Sequence, residues 1–174
     1  PQLTSLEVKV DDATIDFALI TPLTRLHELR ICITKKEGPL DLSKLTTLIP
    51  LTRLDVETPP VSHLPTSLVE CSVTLQSDFD LSPLSSLTSL DVSFKADVRL
   101  TFPTGLKKLR VREGELGNTN IGDVGLELFQ VEWPRLFTRD DLEKLPKTLK
   151  RLKGNLALEI PEEHVFEMFP LLQD

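Results

Sequence analysis

The 174-residue chain has no Tyr, one Trp, one Met and two Cys, and aromatics make up only 5% of it. A core filled without aromatics cannot use their bulk to plug irregular space. Leu dominates the apolar residues instead, which points to one packing unit used many times. Two cysteines, Cys32 and Cys71, are too few and too far apart for a disulfide framework or for metal-ligand spacing. Without disulfide-stapled ends, the expected setting is a reducing, cytoplasmic one. The sequence has no apolar run that would span a bilayer and no signal peptide, and it starts at Pro1, as a processed or excised fragment would. Positive charge is also in deficit: 20 Lys and Arg stand against 27 Asp and Glu, for a net charge of −7. That balance argues against nucleic acid and anionic membranes, and leaves protein partners.

What the chain does contain is repetition. Asp41 to Val56 and Asp80 to Val92 both open Asp-Leu-Ser and close Leu-Asp-Val. A second unit alternates with them, at Leu64 to Val73, Phe102 to Val111 and Leu145 to Gly154. Each of these reads apolar, Pro, a polar residue (Thr in two, Lys in the third), a small residue, then Leu. Aligned on one strong apolar anchor, the units fall at Leu6, Leu29, Leu54, Cys71, Leu90, Leu109, Phe129 and Leu152. The spacing between anchors is 17 to 25 residues. After each anchor the pattern tends to alternate polar and apolar, as in Leu90-Asp-Val-Ser-Phe94, which is the period of a half-buried strand. Strands recurring at one phase must stack as parallel neighbours, with right-handed returns between them.

These residues resemble the leucine-rich-repeat superfamily over nearly the whole chain. Leu51-Thr-Arg-Leu54-Asp-Val56 and Leu87-Thr-Ser-Leu90-Asp-Val92 carry its LxxLxV core, and the Leu-Pro units are similar to short repeats of bacterial effectors and some protozoan families. The resemblance implies an α/β solenoid: a horseshoe with a curved parallel sheet of about eight strands and short 3-10, helical or irregular returns. One feature departs from it. The position where the family places Asn holds Asp11, Thr34, Pro59, Gln76, Lys95, Gly114, Pro134 and Ala157. With no Asn ladder, the backbone at those turns needs other partners.

The array is expected over 1–160, in about eight repeats, and a helical cap over 161–174. Thr138 is read as the N-cap of a short helix with acids in its first turn. Pro161 is read as the first residue of a second helix, with Val165, Phe166, Met168 and Phe169 as its apolar face. The N-terminal end shows no cap, and its open edge invites self-association.

No catalytic motif or cofactor motif is present. His27, His63 and His164 are scattered, no Gly-rich phosphate loop exists, and Gly117 to Asp123 lacks calcium-loop spacing. Cys71 occupies a Leu position and belongs in the core, whereas Cys32 should face water. The family resemblance implies that the concave sheet face binds the partner, and that a catalytic domain such as a ubiquitin ligase or phosphatase could be fused elsewhere. The outward positions form two rows. The first is Glu7, Arg30, Asp55, Ser72, Asp91, Arg110, Gln130 and Lys153; the second is Lys9, Cys32, Glu57, Thr74, Ser93, Arg112, Glu132 and Asn155. Expected partner-binding residues are Arg30, Asp55, Glu57, Asp91, Arg110, Arg112 and Glu132. The expected ion pairs are Glu7–Arg30, Arg30–Asp55, Asp91–Arg110 and Arg112–Glu132. They serve either as a self-neutralising ladder or as a docking surface with an acidic centre and a basic patch at Lys107, Lys108, Arg110 and Arg112. Trp133 and Phe137 are a possible hydrophobic rim or core filler. The reading is therefore a protein-interaction module of a larger intracellular protein; self-assembly through the N-terminal edge is the alternative, and an enzyme the third.

Overall fold

The computed structural model describes residues 2–12, 16–35, 40–48, 50–95, 97–158 and 161–172. Its strands are β1 (Ser5–Asp12), β2 (Glu28–Lys35), β3 (Arg53–Pro60), β4 (Glu70–Leu75), β5 (Phe79–Asp80), β6 (Ser89–Phe94), β7 (Leu100–Thr101), β8 (Lys108–Glu113), β9 (Leu128–Phe137) and β10 (Arg151–Leu158). Among the described residues two short α-helices form, α1 (Arg139–Glu143) and α2 (Glu162–Met168). Eight strands form one parallel sheet in the order β1-β2-β3-β4-β6-β8-β9-β10. The returns hold 3-10 turns and a second, two-stranded parallel sheet of β5 and β7, which the alternation of polar and apolar residues does not reveal. This is the parallel-sheet solenoid that the repeats and the leucine-rich-repeat resemblance predict.

The predicted anchors are in register. Leu6 pairs with Leu29, Leu29 with Leu54, Leu54 with Cys71, and the series continues through Leu90, Leu109 and Phe129 to Leu152. Three residues before the anchors stand Leu26, Leu51, Leu68, Leu87, Leu106, Leu126 and Leu149, all fully buried. Two residues after them, Ile31, Val56, Val73, Val92, Val111 and Val131 are buried as well. The core is thus a set of columns, in which each Leu meets a like residue one repeat away. Each fully buried Leu contributes about 1.5–3 kcal/mol of transfer free energy. The core is Leu-dominated but not free of aromatics: Phe17, Phe94, Phe102, Phe129 and Phe169 are buried in it as well.

Two hydrogen-bond devices join neighbouring repeats. The carbonyls of Thr4, His27, Thr52, Val69, Thr88, Lys107 and Glu127 each accept two consecutive N–H groups of the next repeat, just where its strand begins. The small residue of the Leu-Pro units has its own reason. Ser67 and Thr148 donate their hydroxyls to the Leu51 and Leu126 carbonyls of the preceding repeat, at 2.7 and 2.9 Å. A Cβ on Gly105 would sit 3.2 Å from the Ser85 carbonyl oxygen. The backbone passes too close for a large side chain. Both Asp-Leu-Ser segments make the same turn, with the Ser43 and Ser82 amides donating to Asp41 and Asp80 Oδ1. At the missing Asn ladder, Thr34 donates to Asp11 Oδ1 at 3.1 Å, so two of those positions partner each other.

Thr138 caps α1 through a full capping box with Asp141. That helix lies within the array, since β10 follows it. Pro161 is the N-cap of α2 and not its first helical residue, because its ψ of 144° is extended. Val165 of α2 and its C-cap Phe169 join the core and Met168 packs against it, but Phe166 is 45% exposed and not part of the buried face. Lys147 Nζ lies 5.1 Å from the Phe169 ring centre, a cation–π contact between the last return and α2.

Candidate functional site

The strand alternation sorts each strand's side chains onto two faces. The buried face of the main sheet supplies the core; the other carries the candidate residues. The first predicted row is continuous from Glu7 to Lys153. The second row is not. Lys9, Cys32 and Glu57 are neighbours, but Thr74 pairs with Pro60, and Ser93 pairs with Glu113 where Arg112 was expected. The interruptions are bulges. Pro59 and Pro60 lack N–H groups for the ladder. β8 ends at Glu113, and Gly114 follows it with a φ of +141°.

A third polar row was missed. It is Ser5, Glu28, Arg53, Glu70, Ser89, Lys108, Leu128 and Arg151, the residues just before the anchors. The same period of two that located the outward residue after each anchor also places the one before it on that face. Arg53 bridges this row, 3.7 Å from Glu28 and 3.0 Å from Glu70.

The seven predicted binding residues form two groups. In the first, Arg30 reaches Asp55 at 3.6 Å and pairs with Glu57. In the second, Asp91 lies 3.5 Å from Arg110 and 2.8 Å from Arg112, and Arg110 pairs with Glu132. Arg112 also lies within 3.4 Å of Ser72 Oγ and the Val73 carbonyl, two strands away on β4. Two expected pairs differ. Glu7 pairs with Lys9 of its own strand at 3.0 Å rather than with Arg30, and Glu132 takes Arg110 in place of Arg112. Three ion pairs, Arg30–Glu57, Arg112–Asp91 and Arg110–Glu132, run diagonally between rows. Twisted neighbouring strands bring diagonal positions within reach of long side chains, a geometry that row position alone does not reveal. The acidic centre is therefore two arginine-matched groups, separated by Ser72 and Thr74.

Burial is uneven. Asp91 is 26% exposed and Arg112 29%. Burial pushes the Asp91 carboxyl above the ordinary aspartate value, against the pull of Arg112 and Arg110. Glu57 moves the other way, held below the ordinary value by hydrogen bonds from Arg30 and Cys32. Cys32 is half-buried on this face, and its thiol is raised, first by the bond to Glu57 and then by burial. Cys71 is 4% exposed in the core, and burial pushes its thiol far up. Both cysteines are free thiols.

The open face holds a depression of about 410 Å3 over β3 to β9, lined by Arg53, Asp55, Glu70, Asp91, Lys108 and Arg110 among others. The side chains of Trp133 and Phe137, the expected hydrophobic rim, lie outside the described residues, as does that of Asn155.

Among the described residues the histidines assemble no serine–histidine–aspartate relay. His63 Nδ1 faces both Ser62 Oγ at 3.2 Å and Asp41 Oδ1 at 3.4 Å. A serine–histidine–aspartate relay needs its serine and carboxylate on opposite ring nitrogens, and here they share one. His27 Nδ1 contacts the Arg25 carbonyl at 2.7 Å. Among the described residues no group of three or more His, Cys, Asp or Glu side chains is placed to hold a metal, and no helix is long and apolar enough to cross a membrane.

No family model matches the chain, and no curated protein matches it. Among solved structures it is similar to an internalin from Listeria monocytogenes, at 19% sequence identity and a TM-score of 0.44, over 90% of this chain. The chain spans about 62% of the length of that structure.

Proposed function

We propose that the chain is a protein-interaction module that docks its partner on the polar face of the main sheet, within a larger intracellular protein. One observation carries this reading. One face of the sheet is consumed by the core, while the other is left open as a charged depression of about 410 Å3 across β3 to β9. Arg53, Glu70, Asp91 and Lys108 give that depression alternating charge. The three rows hold no aromatic anchor among their described residues, so the partner is steered by charge and its binding is salt-sensitive. Two free thiols are compatible with a reducing compartment. In this reading α2 is the C-terminal cap, closing the array with Val165 and Phe169.

Site-specific photo-cross-linking in cells of the native source tests the assignment. A cross-linker at Ser72 or Gln130 on the open face should capture one protein, and the same probe at Ser82 on a return should not. Equal capture from Ser82, or none from the sheet face, overturns the reading.

A second reading is self-association through β1, which has one sheet neighbour among the described residues and whose Leu6, Val8 and Val10 are half-buried. Light scattering over a concentration series that shows a strict monomer removes it.

A further inference from the structure

The polar face is electrically polarised along the array. On β1 to β4 its rows carry Glu7, Glu28, Asp55, Glu57 and Glu70 against Lys9, Arg30 and Arg53. At the start of β8 to β10 the sign reverses. Lys107, Glu127 and Lys150 are joined by consecutive backbone hydrogen bonds, and Lys108, Leu128 and Arg151 are the next set of register partners. These six residues line a depression of about 310 Å3. Among the described residues it therefore holds four cations and one carboxylate, in a chain whose net charge is −7.

The single carboxylate is already engaged. Glu127 receives Lys150 at 2.9 Å and Lys107 at 3.7 Å. Lys150 holds its carboxyl below the ordinary glutamate value. Lys108 and Arg151 are exposed, and neither makes an ion pair with another described residue. They flank the half-buried Leu128 from strands two apart in the sheet, roughly 10 Å between backbones. Clustered like charge costs stability unless an opposite charge arrives.

Resting on the reading of the sheet face as a docking surface, we infer that this depression binds an acidic peptide segment of the partner, with carboxylates on Lys108 and Arg151 and an apolar residue between them on Leu128. Three features favour a peptide over a nucleic acid. Lys108 and Arg151, which pair with no other described residue, are separated by an apolar floor, this floor suits an apolar side chain where a continuous phosphate backbone offers none, and the net negative charge opposes approach of a long polyanion. The depression is continuous with the larger one on the sheet face, since Lys108 and Leu128 line both. A segment seated here would run onto the sheet.

The test is fluorescence anisotropy on the whole chain, with a labelled peptide of Glu-Leu-Glu triplets as the probe. The competitors are an unlabelled Lys-Leu-Lys peptide and a single-stranded oligonucleotide of matched charge. The glutamate peptide should bind, weaken with added salt, and be displaced by neither competitor. Lys108→Glu with Arg151→Glu should weaken it roughly tenfold or more, since each like-charge contact opposes docking. Arg25→Glu with Lys95→Glu changes net charge equally at sites away from the depression, and should weaken it less than about threefold. The milder Lys108→Gln with Arg151→Gln, its melting curve matched to the parent, guards against misfolding and should fall between the two. Equal losses in both reversed variants, tighter binding of the oligonucleotide, or no binding of the glutamate peptide overturns the inference. Cross-linking from Ser72 would still stand in each of those cases, so the two readings fail separately.

Discussion

Arg112 Nε lies 2.8 Å from Asp91 Oδ1, closer than Arg110 approaches the same carboxylate from the register position directly opposite. The neighbour in sequence register is thus not the nearer charge partner. A double-mutant cycle of Asp91→Ala with Arg112→Ala should give a favourable coupling of about 1 kcal/mol, the upper end for exposed pairs, because both groups are largely shielded. The cycle with Arg110→Ala should give less. Zero coupling to Arg112, or the reverse order, would show that the diagonal pair does not form in solution.

That pair attracts, yet burial costs Asp91 more than the arginines return, so its carboxyl sits above the ordinary 3.8. A raised folded value means stability that is full below 3.8 and lost as pH rises through the folded value. Glu57 is lowered from 4.5, so its contribution is full above 4.5 and lost as pH falls through its folded value. In urea melts from acid to neutral pH, Asp91→Asn should gain on the parent protein as pH rises. Glu57→Gln should lose ground over its own window. Slopes of the same sign in both variants would contradict the placement of Asp91 in a shielded site.

Gly154 sits at a register shift of β10 with φ +137°, and a Cβ there would lie 2.1 Å from the Val131 carbonyl oxygen. Backbone cannot swing aside as a side-chain tip can. Gly154→Ala should destabilise by about 1–3 kcal/mol through the disfavoured conformation alone, and more through the clash. Thermal unfolding checks it; an unchanged melting temperature would mean that β10 does not approach β9 in this way.

Cys32 and Cys71 should differ in reactivity. Native protein treated with a thiol-specific disulfide reagent should react slowly at Cys32 alone, and denatured protein at both positions, since Cys71 is buried. Glu57→Gln removes the carboxylate that raises the Cys32 thiol and should speed its reaction several-fold at constant pH. A rate unaffected by that change would place Glu57 away from the sulfur.

The eight anchors, the parallel order and the burial of Cys71 were legible in the chain itself. A period of two within strands and of about twenty between them is a one-dimensional signal, and a solenoid is a nearly one-dimensional fold in which each repeat touches its neighbours. The first polar row followed from the same arithmetic. The second row did not survive, because bulges at Pro60 and after Val92 shift register by local backbone chemistry that no average period records. Which charge meets which was decided only in three dimensions. Arg112 takes Asp91 and Arg110 takes Glu132 because strand twist and side-chain length, not alignment, set the distances. The basic depression needed tertiary structure for the same reason. Lys107 and Lys108 are two repeats from Lys150 and Arg151 in sequence, and the four become one surface only when β9 lies between their strands and Glu127, just before it, is held by Lys107 and Lys150.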